Sequence, residues 1–327
     1  MRAATIRNAA MVVAEHPDPQ PGPGEVLVRV RAAGLNGADQ MQLLGFYPPP
    51  PGSGIPADIP GLELAGEVAG AGPGAVRFRT GDRVMSIVAG AGQAELAVVP
   101  EDQLMPVPEG LSWPEAGGFA EVFMTAYDAI FGQGGLQPGE RLLVHGAAGG
   151  VGSAAVQLAV AAGAHVTATV RNPDSRGAVA ALGAEPVIDP EGFDEHGPYD
   201  VILELVGAPN LVGNLSSMAT GGRIVIIGLS AGGHAELDLR ALMIKRGRIS
   251  GSTLRSRPLA EKAALARQVE QHVLPLLAAR RVRVLVDATF RLDDVAAAYA
   301  RFSGGGKVGK IVLSANEQDE QDRTAGK

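Results

Sequence analysis

Residues 141–152 read Arg141-Leu-Leu-Val-His145-Gly146-Ala-Ala-Gly149-Gly150-Val-Gly152. A short apolar run, a cluster of glycines and an apolar stripe at Val151, Ala155, Leu158 and Ala162 spell strand, tight turn and helix. The stripe repeats at i, i+4, i+7 and i+11, which is one face of a helix, and Gly163 ends it. Further apolar runs at 165–170, 186–188, 200–205, 223–228 and 248–252 alternate with helical patterns. The strand at 141–145 therefore opens a βαβ series on a doubly wound parallel sheet, an α/β architecture. In that setting the glycine turn suits a dinucleotide. Gly149 lets the backbone approach a pyrophosphate, the helix start offers free N–H groups, and Gly152 permits close helix–strand packing. Ala148, Gly149, Gly150, Val151 and Gly152 are the candidate contacts, with Ala147 at the first glycine position of G-x-G-x-x-G; the plain alternative is an ordinary βα turn.

The end of the next strand bears on which dinucleotide. An NAD site usually places Asp or Glu there, about 20 residues on, against the ribose 2′-hydroxyl. Here the strand ends Thr169-Val170-Arg171-Asn172, with no carboxylate. Arg171, Asn172 and Arg176 suit a 2′-phosphate, which points to NADPH. A solvated strand-end cation is the alternative for Arg171. Val206, after the fourth strand, and Gly228, Leu229 and Ser230, after the fifth, stand at carboxyl ends of parallel strands, where ligands bind in open sheets.

The first third is a different texture, with strands predicted at 25–32, 64–69, 83–88 and 93–99 and a stiff Tyr47-Pro-Pro-Pro-Pro-Gly52 loop. Toward the other end, Pro258, at a first-turn position where its missing N–H costs nothing, opens a helical pattern to about 279, kinked at Pro275. A strand at 282–286, a segment at 288–292, a helix at 293–302 and a strand at 310–313 follow and return to the first domain. Residues 316–327 are polar and aperiodic, and read as a disordered tail. Of 327 residues 46% are hydrophobic and 19% charged, enough for large cores. A formal net charge of −7 disfavours nucleic acid and anionic membrane surfaces as partners. The chain has no cysteine, which removes disulfides, thiolate nucleophiles and sulfur-ligated zinc. With no apolar run long enough for a membrane span or signal peptide, the expected location is the cytoplasm.

Several stretches together resemble the medium-chain dehydrogenase/reductase superfamily, in its zinc-free NADPH:quinone oxidoreductase branch. They are Gly34-Leu-Asn36-Gly-Ala-Asp39, Gly45-Phe-Tyr47 with its prolines, Pro60-Gly61-Leu62-Glu63, Gly81-Asp82-Arg83-Val84, Pro106-Val-Pro-Glu-Gly110, Thr125-Ala126, the glycine turn and Gly309-Lys310-Ile-Val-Leu. Met41-Gln42, Gly92-Gln93-Ala94 and Leu254-Arg255-Ser256-Arg257 are similar to the subgroup of tumour-suppressor-induced quinone reductases. The resemblance implies a GroES-like β-barrel catalytic domain over 1–112 plus 282–315, a Rossmann NADPH-binding domain over 113–281, a cleft between them, and a homodimer. Where the zinc-bearing branch has Gly-His-Glu, this chain has Gly61-Leu62-Glu63, so no metal ligand set is expected. Without a Lewis acid, hydride transfer suits an acceptor that delocalises charge, a quinone or a conjugated enone. The resemblance puts Asn36 near the nicotinamide or the acceptor oxygen, Tyr47 as donor to the developing oxyanion, and Thr125, at the start of the linker helix into the Rossmann domain, near the nicotinamide. A turn residue, a loop-packing aromatic and a self-bonded helix hydroxyl are the respective alternatives. Asp39 either orients Asn36 or caps a short helix, the cap being the favoured reading; His145 reads as structural; Lys307 and Lys310 either reach the cofactor's charged end or are solvated lysines, the favoured reading. Competing functions are an enoyl or 2-alkenal reductase and a weakly catalytic, redox-sensing NADPH-binding protein.

Overall fold

The apolar runs downstream of the glycine turn pair into one six-stranded, all-parallel sheet. A computed structural model of the chain describes residues 1–314; residue 315 and the tail at 316–327 lie outside the described residues. Across the sheet the strands are Val187–Ile188, His165–Thr169, Arg141–Val144, Tyr199–Glu204, Met218–Ile226 and Arg248–Gly251. Numbered along the chain this is the order 3-2-1-4-5-6, whose direction reverses beside the first strand and leaves a crevice at the carboxyl ends. The helix Gly150–Ala161 is buried on more than the stripe, because Ala154, Ala155, Val156, Leu158 and Ala159 pack both on the sheet and on the helix Ala120–Tyr127. Its alanines keep that three-way contact close.

A second sheet of seven strands holds Glu25–Gly34 at its centre. Glu63–Ala71 and Leu96–Pro100 pair with it antiparallel. Arg83–Ile87 and Met105–Pro106 continue one side, and on the other Lys310–Ser314 and Val286–Phe290 join from the far end of the chain. The strand expected at 282–286 is displaced: Val282 and Val284 are buried alternately, which mimics a strand, but the ladder begins only at Val286. Pro258 caps the helix Leu259–His272 from outside rather than occupying its first turn, and Pro275 starts a separate helix, Leu274–Ala278. A hairpin of Arg2–Arg7 and Ala10–Glu15 was not expected; its turn uses Asn8 and Ala9 at positive φ, with no glycine to mark it. Among the described residues no helix is long and apolar enough to cross a membrane.

Candidate active site

At the glycine turn the protein's own atoms explain some glycines and leave one to the ligand. A Cβ on Gly152 would lie 2.6 Å from both Ala147 Cα and Gly146 O, so helix and strand meet there too closely for any side chain. Gly149 caps the helix in extended geometry, and a Cβ there would meet nothing nearer than 3.4 Å. No side chain caps this helix, so the first-turn N–H groups of Gly150, Val151 and Gly152 lack intrahelical acceptors and face a helix-dipole terminus suited to an anion. The carbonyl of Ala148 accepts from Gly309 N at 2.9 Å, which ties the strand returning to the second sheet onto this turn.

The neighbouring loops are held by a buried carboxylate. Glu204 accepts from Val206 N at 2.7 Å, Gly207 N at 2.8 Å, Asn214 Nδ2 at 2.8 Å and Asn210 Nδ2 at 3.1 Å. Asn214 Oδ1 in turn accepts from His145 Nε2 at 2.7 Å, and burial holds the His145 pKa down, so the ring is a neutral member of the packing. Ala208 N bonds Gly232 O and Ala231 N bonds Val206 O, zipping the loop after the fourth strand to the one after the fifth. Gly228 is half-buried, and a Cβ there would lie 2.4 Å from Leu205 O, while Leu229 and Ser230 are exposed.

At the end of the second strand Arg171 is exposed and makes no ion pair or hydrogen bond among the described residues. Asn172 Oδ1 accepts from Asp174 N. Arg176 is already engaged, by Val170 O at 3.1 Å and Asp189 Oδ2 at 2.5 Å.

Where the two units face each other, a buried polar anchor forms around Lys310. This side chain is 3% exposed rather than solvated. Its ammonium donates to Glu63 Oε1 and Leu35 O, each at 2.7 Å, and to Asn36 Oδ1 at 2.5 Å. Asn36 Nδ2 donates to Glu63 Oε1 at 3.0 Å and Gly34 O at 3.3 Å, so its amide has no free hydrogen and keeps one open lone pair on oxygen. Asp39 accepts from Asn36 N, Gly61 N and Gln93 Nε2, and burial pushes its carboxyl up to about 6. Asp39 is the third residue of the helix Gly37–Leu43, whose N-cap is Asn36, and it holds the Asn36 N–H as the returning half of a capping box, which also orients that asparagine.

Tyr47 is held by more than its prolines. The Arg255 guanidinium lies 4.9 Å from its ring centroid and donates to the Tyr47 carbonyl at 2.7 Å, to Gln42 Oε1 at 2.7 Å and to Ala89 O at 2.8 Å. Burial raises the Tyr47 pKa, keeping its hydroxyl a neutral donor, and that hydroxyl has no partner among the described residues. Thr125 lies near the end of the helix Ala120–Tyr127, not at its start. One turn earlier on the same face is Glu121, whose backbone N–H donates to Glu63 Oε2 at 2.9 Å. Burial beside Glu63 pushes the Glu121 carboxyl up to about 8. Lys262, 5% exposed, has its pKa lowered by burial and reaches Arg255 O at 3.4 Å.

Glu204, Lys310, Glu121, Arg255 and Lys262 were not among the site residues expected from sequence. Two carried a signal. Glu121 is the lone charge in Ala116-Gly-Gly-Phe-Ala-Glu121-Val-Phe-Met-Thr125-Ala126, and Arg255 sits in a motif already singled out. Among the described residues no His, Asp or Glu side chains converge as a metal ligand set.

Comparison with known proteins agrees with both sheets. A family model described as alcohol dehydrogenase GroES-like domain matches residues 22–132, and one described as zinc-binding dehydrogenase matches residues 150–271. The chain is 30% identical to the quinone oxidoreductase of Mus musculus over 309 residues, 90% of each chain. It is 32% identical over 305 residues to a phenolphthiocerol/phthiocerol polyketide synthase of Mycobacterium tuberculosis. That match takes in 90% of this chain and spans only 14% of the length of the synthase. A crystal structure of an NAD-dependent alcohol dehydrogenase superposes with a TM-score of 0.84 at 28% identity, covering 97% of this chain and 100% of the other. A mycobacterial protein solved with NADPH superposes with a TM-score of 0.86 at 24% identity, covering 96% and 100%.

Proposed function

The chain belongs to the medium-chain dehydrogenase/reductase superfamily, on its quinone-oxidoreductase-like side, and from that premise we propose that it reduces quinones with NADPH, without zinc, in the cleft between its two units. The observation that carries the reading is Leu62. It is 2% exposed between Gly61 and Glu63, where a histidine ligand would be needed, in a chain with no cysteine, and the Glu63 carboxylate beside it is taken by Lys310. The residues do not fit a sulfur-and-imidazole zinc site. They do fit a dinucleotide, because the helix start at Gly149–Gly152 is uncapped and open above Gly149.

Bound NADPH supplies the hydride. Gly149, Gly150, Val151 and Gly152 would meet its pyrophosphate through backbone N–H groups, Val206 and Gly228 through Ser230 its nicotinamide ribose, and Arg171 with Asn172 its 2′-phosphate. Arg176, tied to Asp189, would buttress that corner. Thr125 and the open lone pair of Asn36 would orient the nicotinamide, and the unpaired Tyr47 hydroxyl would donate to the oxygen on which charge develops. Replacing Tyr47 by Phe is expected to lower kcat about 10²-fold, the effect of losing one oxyanion donor; wild-type kcat would remove the hydroxyl from the reaction. Arg171→Ala should weaken NADPH binding about tenfold and leave NADH unaffected, through loss of a charge-assisted contact. Equal Kd ratios in the two proteins would remove Arg171 from the cofactor site.

A second reading, reduction of a conjugated C=C in an enoyl or 2-alkenal acceptor, draws on the identity to part of a polyketide synthase. NADPH and NADH oxidation with 1,4-benzoquinone and with a short enone, chelator present, separates the readings. NADPH-preferring quinone turnover supports the first. Turnover of the enone alone supports the second, and NADPH binding without turnover would leave a redox-sensing binding protein. We further propose a cytoplasmic homodimer with no nucleic-acid or membrane partner. Its contact would run along the edge strand Arg248–Gly251, beside which Leu239, Met243 and Ile244 are exposed on the helix Leu239–Lys245.

A further inference from the structure

We propose that Glu121 is the proton donor of the reduction, delivering the carboxyl proton to the acceptor as hydride arrives. This rests on the reductase reading above. The other acids beside it are already held. Asp39 accepts three hydrogen bonds, and Glu63 is held by Lys310, Asn36 and the Glu121 backbone N–H. The Glu121 carboxyl accepts none among the described residues, although protein surrounds it and only a partial opening to solvent remains. It stands one helical turn from Thr125, and its own N–H is bonded to Glu63 Oε2 while Glu63 Oε1 holds Asn36 and Lys310, so the helix sets Glu121 beside the residues expected at the nicotinamide and the acceptor oxygen.

The cations around it are engaged as well. Lys310 bonds Glu63, Leu35 O and Asn36; Arg255 bonds Ala89 O, Tyr47 O and Gln42; Lys262 reaches Arg255 O. No ion pair holds Glu121 in its charged form; burial first, and then the carboxylates of Glu63 and Asp39, oppose that charge more than Lys310 and Arg255 favour it. A value near 8 leaves the group protonated at neutral pH, with the proton still transferable. The balance closes without another reagent. The acceptor gains hydride and one proton and becomes the neutral dihydro product; Glu121 is left as carboxylate and is reprotonated through its opening to solvent.

Glu121→Gln keeps the shape and cannot give a proton, and it is expected to lower kcat/KM by about 10²-fold or more. In the wild type kcat/KM should fall as pH rises through about 8, where Glu121 loses its proton. Glu121→Asp should restore that alkaline limb with part of the rate. Independently of turnover, pH-difference infrared spectra of the apo-protein should show a protonated carboxyl band at pH 7 that is lost above pH 8 and missing from Glu121→Gln. Wild-type rate and pH profile in Glu121→Gln, with the band present in the wild type, would make Glu121 a buried acid and overturn the proposal alone. Absence of wild-type turnover with any quinone or enone would overturn the reductase reading and this proposal with it.

Discussion

Replacing Lys310 with methionine is expected to lower the free energy of unfolding by about 3–5 kcal/mol, the cost of leaving one member of a buried ion pair without its partner. Methionine suits the space: a Cβ on Gly118 would come within 3.3 Å of the Lys310 stem and one on Gly150 within 2.9 Å, so the stem is packed and the replacement nearly fills it. The loss is therefore electrostatic rather than a cavity effect. Glu63, 0% exposed, would keep the Asn36 amide and the Glu121 N–H as donors but no counter-charge. Lys310→Met combined with Glu63→Gln should recover more than half of the loss, since the amide oxygen still accepts and no charge is stranded. Urea unfolding followed by Trp113 fluorescence measures both. A single variant within about 0.5 kcal/mol of wild type would show that water screens the pair.

The same ion pair shows where sequence reading stops. The glycine turn was readable because its chemistry is local: strand, turn and helix lie within 141–161, and the tight packing at Gly152 is set by its own neighbours. The six parallel strands followed from it, since each apolar run ends at a turn on one edge of the sheet. Asn36 and Lys310 are 274 residues apart, and nothing near Lys310 in the chain announces that its ammonium is buried. Residue type alone made it a solvated lysine. Glu121 and Lys262 were missed for the same reason: charge is visible in a sequence, but desolvation is a property of what packs around it. Arg255 is intermediate. Its motif was noticeable, yet its hold on the Tyr47 loop depends on the end of one sheet meeting a loop of the other unit.

Glu204→Leu should have the second large effect, about 3 kcal/mol or more in stability together with at least tenfold weaker NADPH binding. The carboxylate is 2% exposed and receives the backbone N–H groups of Val206 and Gly207 and the amides of Asn210 and Asn214. Leucine accepts none of these, and each buried donor left without a partner costs about 1–3 kcal/mol, less than additively as the loop relaxes. Relaxation is the link to binding. Gly207 holds φ +114°, and a Cβ there would sit 2.4 Å from Gly232 O, so the loops after the fourth and fifth strands have one close fit and little room for a shifted one. Once the anchor under Val206 is lost, the Ala208–Gly232 and Ala231–Val206 hydrogen bonds loosen, and with them the proposed ribose-binding edge. Glu204→Gln retains one acceptor oxygen and points an amide at the asparagine donors, so it should fall between leucine and wild type in both measurements. NADPH affinity by fluorescence titration and stability by urea unfolding should therefore decline together across Glu, Gln and Leu. Stability that declines while Kd stays constant would confine Glu204 to the fold and detach the Val206 loop from the cofactor.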